Sequence, residues 1–424
     1  MTTRVATISA SNVDFTHLQP LPIAAQSYTT NDTQTSTALP LAKVISPGTP
    51  YPTNLSLEKS ELRPPCLAKD RLELWSPHPS ALQCLGTQAP QELRDRVKAV
   101  TLQGWAESTR TSYGAGLLVF HVFCDSRSIP DPERAPASSN LISMFISALA
   151  GSYSVQAIQN YTYGVRAWHT LNGLPWTLHE DQISTMLKGA ARLAPSTTKQ
   201  DKRQPITAIM ICAIKEKLVA KDPLDTAFFA CLTTLFYSAA RVGEFTIKRL
   251  NAFNPAEHIS LSHVRDDTDR NGFHTKVFAI PQTKSNPKGE EVNWARQDGP
   301  TDPLSAFNKH LEINNPPPNG PLFAYKKGQA HRPLTRHAFI TRLNKIAKAA
   351  GLDPVHGHGI RIGATLEYLL RGVPFEVMKV KGRWVSDAFQ LYLRKHNQIL
   401  APYMQAMPAE TALEFTRIAM PPVR

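Results

Sequence analysis

The sequence predicts a mainly α-helical protein with a small β-sheet, in which an all-helical domain is followed by a mixed α+β domain. From residue 91 to about 194, apolar residues recur at helical spacing, as in Tyr113, Leu117, Phe120 and Cys124. Lys276 to Ile280, a Lys-Ser-Asn-Pro-Lys-Gly turn and Glu291 to Trp294 have the composition of a strand, a turn and a second strand. The last hundred residues return to helical spacing.

Composition divides the 424 residues into four parts. Residues 1–88 are rich in Thr, Ser, Pro, Ala and Gln and predict a disordered N-terminal tail. Residues 89–194 predict the helical domain, and the polar, basic stretch 195–204 predicts a linker. Residues 205–424 predict the second domain with a C-terminal tail helix, whose apolar face could pack on its own core or on a neighbouring protomer.

The net charge of +13 is carried entirely by residues 91–424, since residues 1–90 contain six basic and six acidic residues. Such an excess favours a polyanionic partner, because Lys and Arg that neutralise phosphates release counterions. No apolar run approaches the roughly 18 residues of a membrane span, and the N-terminus lacks the pattern of a secretory leader. We therefore expect an intracellular protein that does not associate with membranes.

Two short segments carry polar residues suited to phosphate chemistry. Arg241 and Glu244 follow a very apolar helix, where they could form an ordinary helix ion pair or a functional site. His356-Gly-His358-Gly-Ile-Arg361 begins another helix, and the free N–H groups of a helix start together with an arginine fork bind phosphate well. The two histidines could also suggest a metal, but no cysteine or carboxylate cluster follows at ligand spacing, and the five cysteines form no CxxC pair.

Two further segments are unremarkable when each is taken alone. Trp384 precedes Tyr392 in a turn and short helix, where a tyrosine would ordinarily be a packing residue. Lys284, or alternatively Lys288, lies in the turn between the two predicted strands, where a lysine is usually solvated.

The order of these segments along the chain is informative. Arg241, Lys284, His358 with Arg361, Trp384 and Tyr392 follow one another with separations of 23 residues (384 − 361) and 8 residues (392 − 384) at the end. This series resembles the catalytic residues of the tyrosine recombinase/integrase family. The wording Gly-Arg-Trp-Val-Ser-Asp-Ala-Phe-Gln-Leu-Tyr is similar to the eukaryotic, Crypton-like subgroup, and the resemblance spans about residues 91–400.

The resemblance implies a DNA recombinase or integrase that cuts and rejoins strands through a covalent 3′-phosphotyrosyl intermediate on Tyr392, without cofactor or metal. Arg241 and Arg361 are then expected to neutralise the phosphate, and Trp384 to donate a hydrogen bond to it. Lys284 or Lys288 is expected to protonate the leaving oxygen. His358 is expected to accept a proton, although its neighbour His356 is an alternative. Glu244 is expected to orient Arg241 or His358.

The implied partner is double-stranded DNA, with Lys199, Lys202 and Arg203 of the linker on its backbone and a homo-oligomer assembled on it. A mobile-element origin and a nuclear location also follow from the resemblance alone. Three alternatives stay open: a type IB topoisomerase-like enzyme, a catalytically decayed or domesticated DNA-binding protein, and a helical scaffold for protein partners. The DNA target sequence, and the choice between integration, excision and inversion, are not encoded in any motif.

Overall fold

The computed structural model describes residues 50–83, 90–198, 203–284, 286–384, 396–401 and 404. The chain divides into two compact units, Met1–Gln200 and Asp201–Arg424, and this division falls inside the linker predicted at 195–204. Within the described ranges, none of the helices combines the length and the apolar character needed to cross a membrane.

The first unit is entirely helical in its described residues. Short 3-10 turns lie at Ala68–Asp70 and Ser196–Thr198. The α-helices are α1 (Arg71–Leu74), α2 (Pro79–Gln83), α3 (Gln91–Gln103), α4 (Glu107–Ser126), α5 (Asp131–Arg134), α6 (Ser139–Leu149), α7 (Val155–Leu171) and α8 (Glu180–Leu193). One apolar cluster, rich in residues of α4, α6 and α7, forms the core of this unit.

Residues 50–83 were expected to belong to a disordered tail, and the structure instead packs them on the first unit. Leu72 and Trp75 are buried in its core. The Trp168 indole N–H donates to the Trp75 carbonyl at 2.7 Å, and the Trp75 indole N–H donates to the Pro64 carbonyl at 3.0 Å. The elements here are too short to show a helical period, but a few large rings suffice to attach them, because each buries a large apolar area.

The second unit combines helices with two small antiparallel sheets. Its helices are α9 (Ala208–Glu216), α10 (Pro223–Tyr237), α11 (Val242–Phe245), α12 (Pro303–Asn314), α13 (Arg336–Ala349), α14 (Gly357–Leu370), α15 (Phe375–Lys381) and α16 (His396–Leu400), with a 3-10 turn at Leu261–His263. Its strands are β1 (Val264–Thr268), β2 (His274–Ile280), β3 (Glu290–Trp294), β4 (Tyr325–Lys327) and β5 (Ala330–Arg332).

The three-stranded sheet has the order β1-β2-β3 and carries the turn that contains Lys284. Phe278 of β2 lies opposite Val264 of β1 and Val292 of β3, so these three side chains share one face. β4 and β5 form a separate pair. The fold class predicted from the sequence, mainly helical with a small sheet, is confirmed.

Helix α10 is the central helix of the second unit. It begins with Asp222, whose carboxylate accepts the Asp225 backbone N–H at 2.8 Å, and Pro223 occupies its first position. Nearly all of its residues are buried, which is expected for a helix that is apolar on every side. It delivers the chain to Arg241 directly after its end.

Residues 204–206, near the start of the second unit, lie directly on helix α14. The Ile206 N–H donates to the Gly359 carbonyl at 3.0 Å. A Cβ atom at Gly359 would lie 2.7 Å from the Gln204 carbonyl oxygen, and one at Gly363 would lie 1.7 Å from the Ile206 carbonyl oxygen. The two glycines therefore allow the extended segment to approach the helix backbone.

We expect the stability of the second unit to fall as the pH is lowered from 7 to 5, in part because of His310. Burial lowers the pKa of His310 from 6.5 to about 4. Its Nε2–H donates to the Leu322 carbonyl at 2.9 Å, and its Nδ1 accepts from Asn314 at 3.0 Å, so the neutral ring is fixed. The unfolded chain takes up a proton near pH 6.5 while the folded chain does not, so about 2 kcal/mol of stability is lost by pH 5.

Urea unfolding at pH 7 and pH 5 measures this loss. The variant His310→Leu should lack the His310 part of the pH dependence, whereas the exposed His337→Leu should retain it. An unchanged pH dependence in His310→Leu would contradict the assignment.

Candidate active site

Arg241 is held by Glu244 at the start of helix α11. The Glu244 carboxylate accepts the Arg241 backbone N–H at 2.8 Å and the Arg241 Nη1–H at 2.8 Å. The Glu244 side chain is 5% exposed, whereas the Arg241 side chain is 31% exposed. The carboxylate thus fixes a guanidinium that still reaches solvent.

A second arginine, Arg383, binds the same carboxylate from a distant part of the chain. Its Nη2 lies 2.7 Å from Glu244 Oε2, and its Nη1 lies 2.9 Å from Glu290 Oε2 on strand β3. Burial raises the pKa of Glu244, but the ion pair with Arg383 and the hydrogen bonds from Arg383 and Arg241 together outweigh burial, and the pKa is lowered overall. Glu244 is therefore ionised at neutral pH.

The turn between β2 and β3 presents Lys284. Thr283 donates its hydroxyl to Glu290 Oε2 at 2.7 Å, and its backbone N–H donates to the Asn286 carbonyl at 3.0 Å. These bonds close the turn, and Lys284 and Lys288 are both exposed in it. The turn is thus connected to Arg383 through Glu290.

Helix α14 carries the histidines and Arg361. His356 is its N-cap residue, His358 is the second helical residue and is half-buried, and Arg361 follows about one turn later. A Cβ atom at Gly357 would lie 2.9 Å from Val242 Cγ2. The start of α14 therefore lies against α11, next to Arg241.

Arg361 is buried beneath the turn that follows α15. It is 1% exposed, and its Nη2–H donates to the Gly382 carbonyl. Its Cζ lies 4.5 Å from the centroid of the Trp384 ring, in cation–π geometry. Because Arg361 is buried, a phosphate can contact its guanidinium only after neighbouring groups have moved.

The described residues thus place several of the predicted site residues in two sets of contacts that meet at the Gly382–Trp384 turn. Arg241 and Glu244 are joined through Arg383 to the turn of Lys284, and Arg361 is joined to Trp384. Arg203 is exposed at the start of the second unit. Tyr392, Lys199, Lys202 and the tail helix lie outside the described residues.

Sequence reasoning missed Arg383 and Glu290. Arg383 stands between Gly382 and Trp384 in a segment already singled out, but its partners lie 139 and 93 positions away in the sequence. No local pattern indicates such pairs. Among the described residues, no group of three or more His, Cys, Asp or Glu side chains has the geometry of a metal site.

Replacing Gly382 with alanine is expected to displace the Trp384 ring from Arg361. The added Cβ would lie 1.6 Å from a ring carbon of Trp384, so the ring must move, and overpacking of this kind typically costs about 1–3 kcal/mol. The measurement is the fluorescence contributed by Trp384, obtained as the difference between each protein and its Trp384→Phe counterpart.

Gly189→Ala is the matched control, because a Cβ there meets nothing within 4 Å. A Trp384 contribution that is the same in Gly382→Ala and in the unaltered protein would show that the ring does not depend on this glycine.

The chain is similar in fold to solved recombinases and integrases. One is the XerH site-specific recombinase bound to a palindromic difH substrate, with 13% identity, 84% of this chain and 98% of that chain covered, and a TM-score of 0.45. Another is a lambda integrase dimer bound to a COC′ core site, with 13% identity, coverage of 74% and 84%, and a TM-score of 0.40. A Flpe–Holliday junction complex has 11% identity, coverage of 80% and 85%, and a TM-score of 0.30.

No protein-family model matches the chain, and the comparison with curated proteins gives no match.

Proposed function

We propose that the chain is a tyrosine recombinase that cleaves and rejoins DNA strands through a covalent phosphotyrosyl intermediate. The observation that carries the proposal is the ordered series Arg241, Lys284, His358, Arg361, Trp384 and Tyr392. The contacts among Arg241, Glu244, Arg383, Glu290, Arg361 and Trp384 support it, because they connect segments that are distant in sequence.

The two arginines neutralise the phosphate. Attack on a phosphodiester builds negative charge on the oxygens around phosphorus, and preorganised donors that meet this charge lower the barrier. Arg241, half-buried and held by Glu244, receives the phosphate first. Arg361 contacts the phosphate after the Trp384 ring or the Gly382 carbonyl has moved. Arginine suits both positions because its planar fork binds two oxygens and stays charged.

The chemical step is an exchange of one phosphodiester bond for another. The Tyr392 hydroxyl oxygen attacks phosphorus, its proton passes to His358, and a bond forms between the tyrosine oxygen and phosphorus. The bond from phosphorus to the 5′-oxygen breaks, and Lys284 supplies the proton that turns this oxygen into a hydroxyl. Resealing is the reverse step with the 5′-hydroxyl of a second strand, so neither ATP nor an external oxidant is consumed.

Double-stranded DNA is the proposed partner of the whole chain. The basic excess of residues 91–424 and the exposed Arg203 at the linker support backbone contacts, whose strength should fall with salt. Assembly into a homo-oligomer on DNA, a mobile-element origin and a nuclear location belong to the proposal through the sequence resemblance alone.

The test is the formation of a covalent protein–DNA band in the presence of EDTA. The protein is incubated with a pool of nicked duplexes of randomised sequence, from which a short fragment is lost after cleavage, and the products are separated on a denaturing gel. We expect a band that Tyr392→Phe abolishes and that the control Tyr325→Phe retains.

The absence of a band while DNA is still bound would favour a catalytically decayed DNA-binding protein. A band accompanied by relaxation of supercoiled plasmid, without any strand exchange between duplexes, would favour the topoisomerase-like alternative. Failure to bind DNA at all would exclude the recombinase, the decayed DNA-binding protein and the topoisomerase-like enzyme.

A further inference from the structure

Arg383 has a backbone conformation that its residue type disfavours. Its φ of 55° is in the left-handed region, at the end of helix α15. The Arg383 N–H donates to the Val380 carbonyl at 2.9 Å and the Trp384 N–H donates to the Lys379 carbonyl at 3.1 Å. This pair of bonds is the Schellman ending of a helix, in which the left-handed position is usually glycine. An arginine at such a position strains the backbone, and this indicates that its side chain makes contacts that offset the strain.

The guanidinium of Arg383 makes two such contacts. Arg383 is 10% exposed in its side chain and binds one carboxylate from each of two segments, Glu244 at 2.7 Å and Glu290 at 2.9 Å. The planar fork of arginine can bind two carboxylates at once, which the single ammonium of lysine does less well.

Each of the two carboxylates in turn binds a segment that carries a candidate catalytic side chain. Glu244 binds the backbone N–H and the guanidinium of Arg241. Glu290 accepts the hydroxyl hydrogen of Thr283, the residue directly before Lys284. Arg383 therefore joins the Arg241 segment and the Lys284 turn to the Gly382–Trp384 turn.

We infer that Arg383 is a positioning residue, which sets Arg241 and Lys284 at the distance that cleavage requires without itself contacting the reacting phosphate. The inference rests on the proposed function. It assigns a role to a residue outside the series that the sequence motifs indicate, and the role depends on a charge that cannot be replaced by an uncharged side chain of similar length.

The first experiment compares Arg383→Gln and Arg383→Lys with the unaltered protein. The rate of covalent-band formation is measured in a single turnover with protein in excess, on a duplex recovered from the randomised pool. We expect Arg383→Gln to be about 100-fold slower, since misplacing reacting groups by about 1 Å has an effect of that size. Arg383→Lys should fall between the two. DNA affinity should change by less than about threefold, because the phosphate contacts remain.

The matched control is Arg265→Gln. Arg265 also forms a two-bond ion pair, with Glu291, the neighbour of Glu290 on strand β3, but both side chains are about half exposed. The same charge is removed from the same sheet, and the rate of band formation should stay unchanged.

A second substrate separates positioning from a general loss of structure. In a duplex with sulfur in place of the bridging 5′-oxygen of the phosphate that is cut, the bond from phosphorus to sulfur breaks and a thiolate leaves. A thiol is far more acidic than an alcohol, so this group needs no proton from Lys284. We expect the defect of Arg383→Gln to shrink from about 100-fold to about 10-fold on this substrate, the remainder reflecting Arg241.

Each outcome decides between the readings. If the unaltered protein gives no band, the proposed function fails and the inference fails with it. If the unaltered protein cleaves and Arg383→Gln is equally fast or faster, the inference alone is overturned. An equal defect on the oxygen and sulfur substrates would reduce Arg383 to a structural ion pair.

If circular dichroism shows that Arg383→Gln is unfolded, two milder variants replace it in the test. Arg383→Lys keeps the charge, and Glu290→Gln removes the ion pair between Arg383 and the strand next to the Lys284 turn while leaving the pair with Glu244 in place. Slow cleavage of the oxygen substrate with recovery on the sulfur substrate in Glu290→Gln would support the inference, and unaltered rates in both variants would overturn it.

Discussion

Replacing Arg361 with alanine is expected to slow covalent-band formation about 1000-fold while leaving most of the DNA affinity intact. The guanidinium is already removed from water, being 1% exposed, so its attraction to transition-state charge is weakened less by solvent than that of a surface arginine. One charge among many phosphate contacts contributes little to binding, whereas the transition state of the proposed reaction loses one of the two arginines proposed to stabilise it.

The measurement pairs single-turnover cleavage with a salt titration of DNA binding. Arg371→Ala is the matched control, because Arg371 directly follows the same helix, is partly exposed and binds Glu367 and Gln297 instead. Urea unfolding must accompany both, since Arg361→Ala also removes the bond to the Gly382 carbonyl. Equal losses of cleavage and binding in Arg361→Ala would contradict a role in the transition state.

Replacing Glu244 with alanine is expected to lower the free energy of unfolding by about 3 kcal/mol and to slow cleavage as well. The carboxylate is 5% exposed and is the shared partner of Arg241 and Arg383. Its removal leaves two guanidinium groups facing each other with one counter-charge, Glu290, on Arg383 only. We place the effect at the low end of buried ion pairs because Arg241 retains access to water.

The stabilisation by Glu244 is expected to decrease as the pH is lowered. The pKa of Glu244 is lowered in the folded chain, because the ion pair with Arg383 and the hydrogen bonds outweigh the opposing effect of burial. Its stabilisation is therefore fully present at neutral pH and is lost as the pH falls below about 4.5 through the folded pKa. The stability difference between the unaltered protein and Glu244→Ala should narrow over that range.

Urea unfolding at several pH values tests both statements, with Glu291→Ala as the control. Glu291 is half exposed, and its removal should change the free energy of unfolding by less than about 0.5 kcal/mol. A Glu244→Ala protein as stable at pH 7 as Glu291→Ala would show that the shared carboxylate contributes little.

Much of the fold follows from local patterns. Asp222 and Pro223 begin helix α10, as an N-cap aspartate followed by proline predicts, and strands β2 and β3 enclose the turn with Lys284. Strand β1 was missed because its sequence, Val-Arg-Asp-Asp-Thr, is almost entirely polar and four of its five residues are exposed. It is an edge strand whose pairing with β2, rather than an apolar face, defines it.

In the candidate site, too, the short-range pairs could be predicted from the sequence and the long-range contacts could not. Arg241 with Glu244, and His358 with Arg361, are short-range pairs that a sequence can display directly. The bond between Arg383 and Glu244 spans 139 residues. The left-handed conformation of Arg383 cannot be predicted from its residue type, because arginine normally avoids that conformation. Such contacts depend on how the helices pack, which local periodicity does not specify.

The contact of residues 204–206 with helix α14 fixes the beginning of the second unit to the helix that bears His358 and Arg361. A side chain at Gly363 would separate the two, because its Cβ would occupy the place of the Ile206 carbonyl oxygen. A substitution on the far side of α14 from the candidate active site can therefore alter the support of that helix without changing any of the site's own side chains.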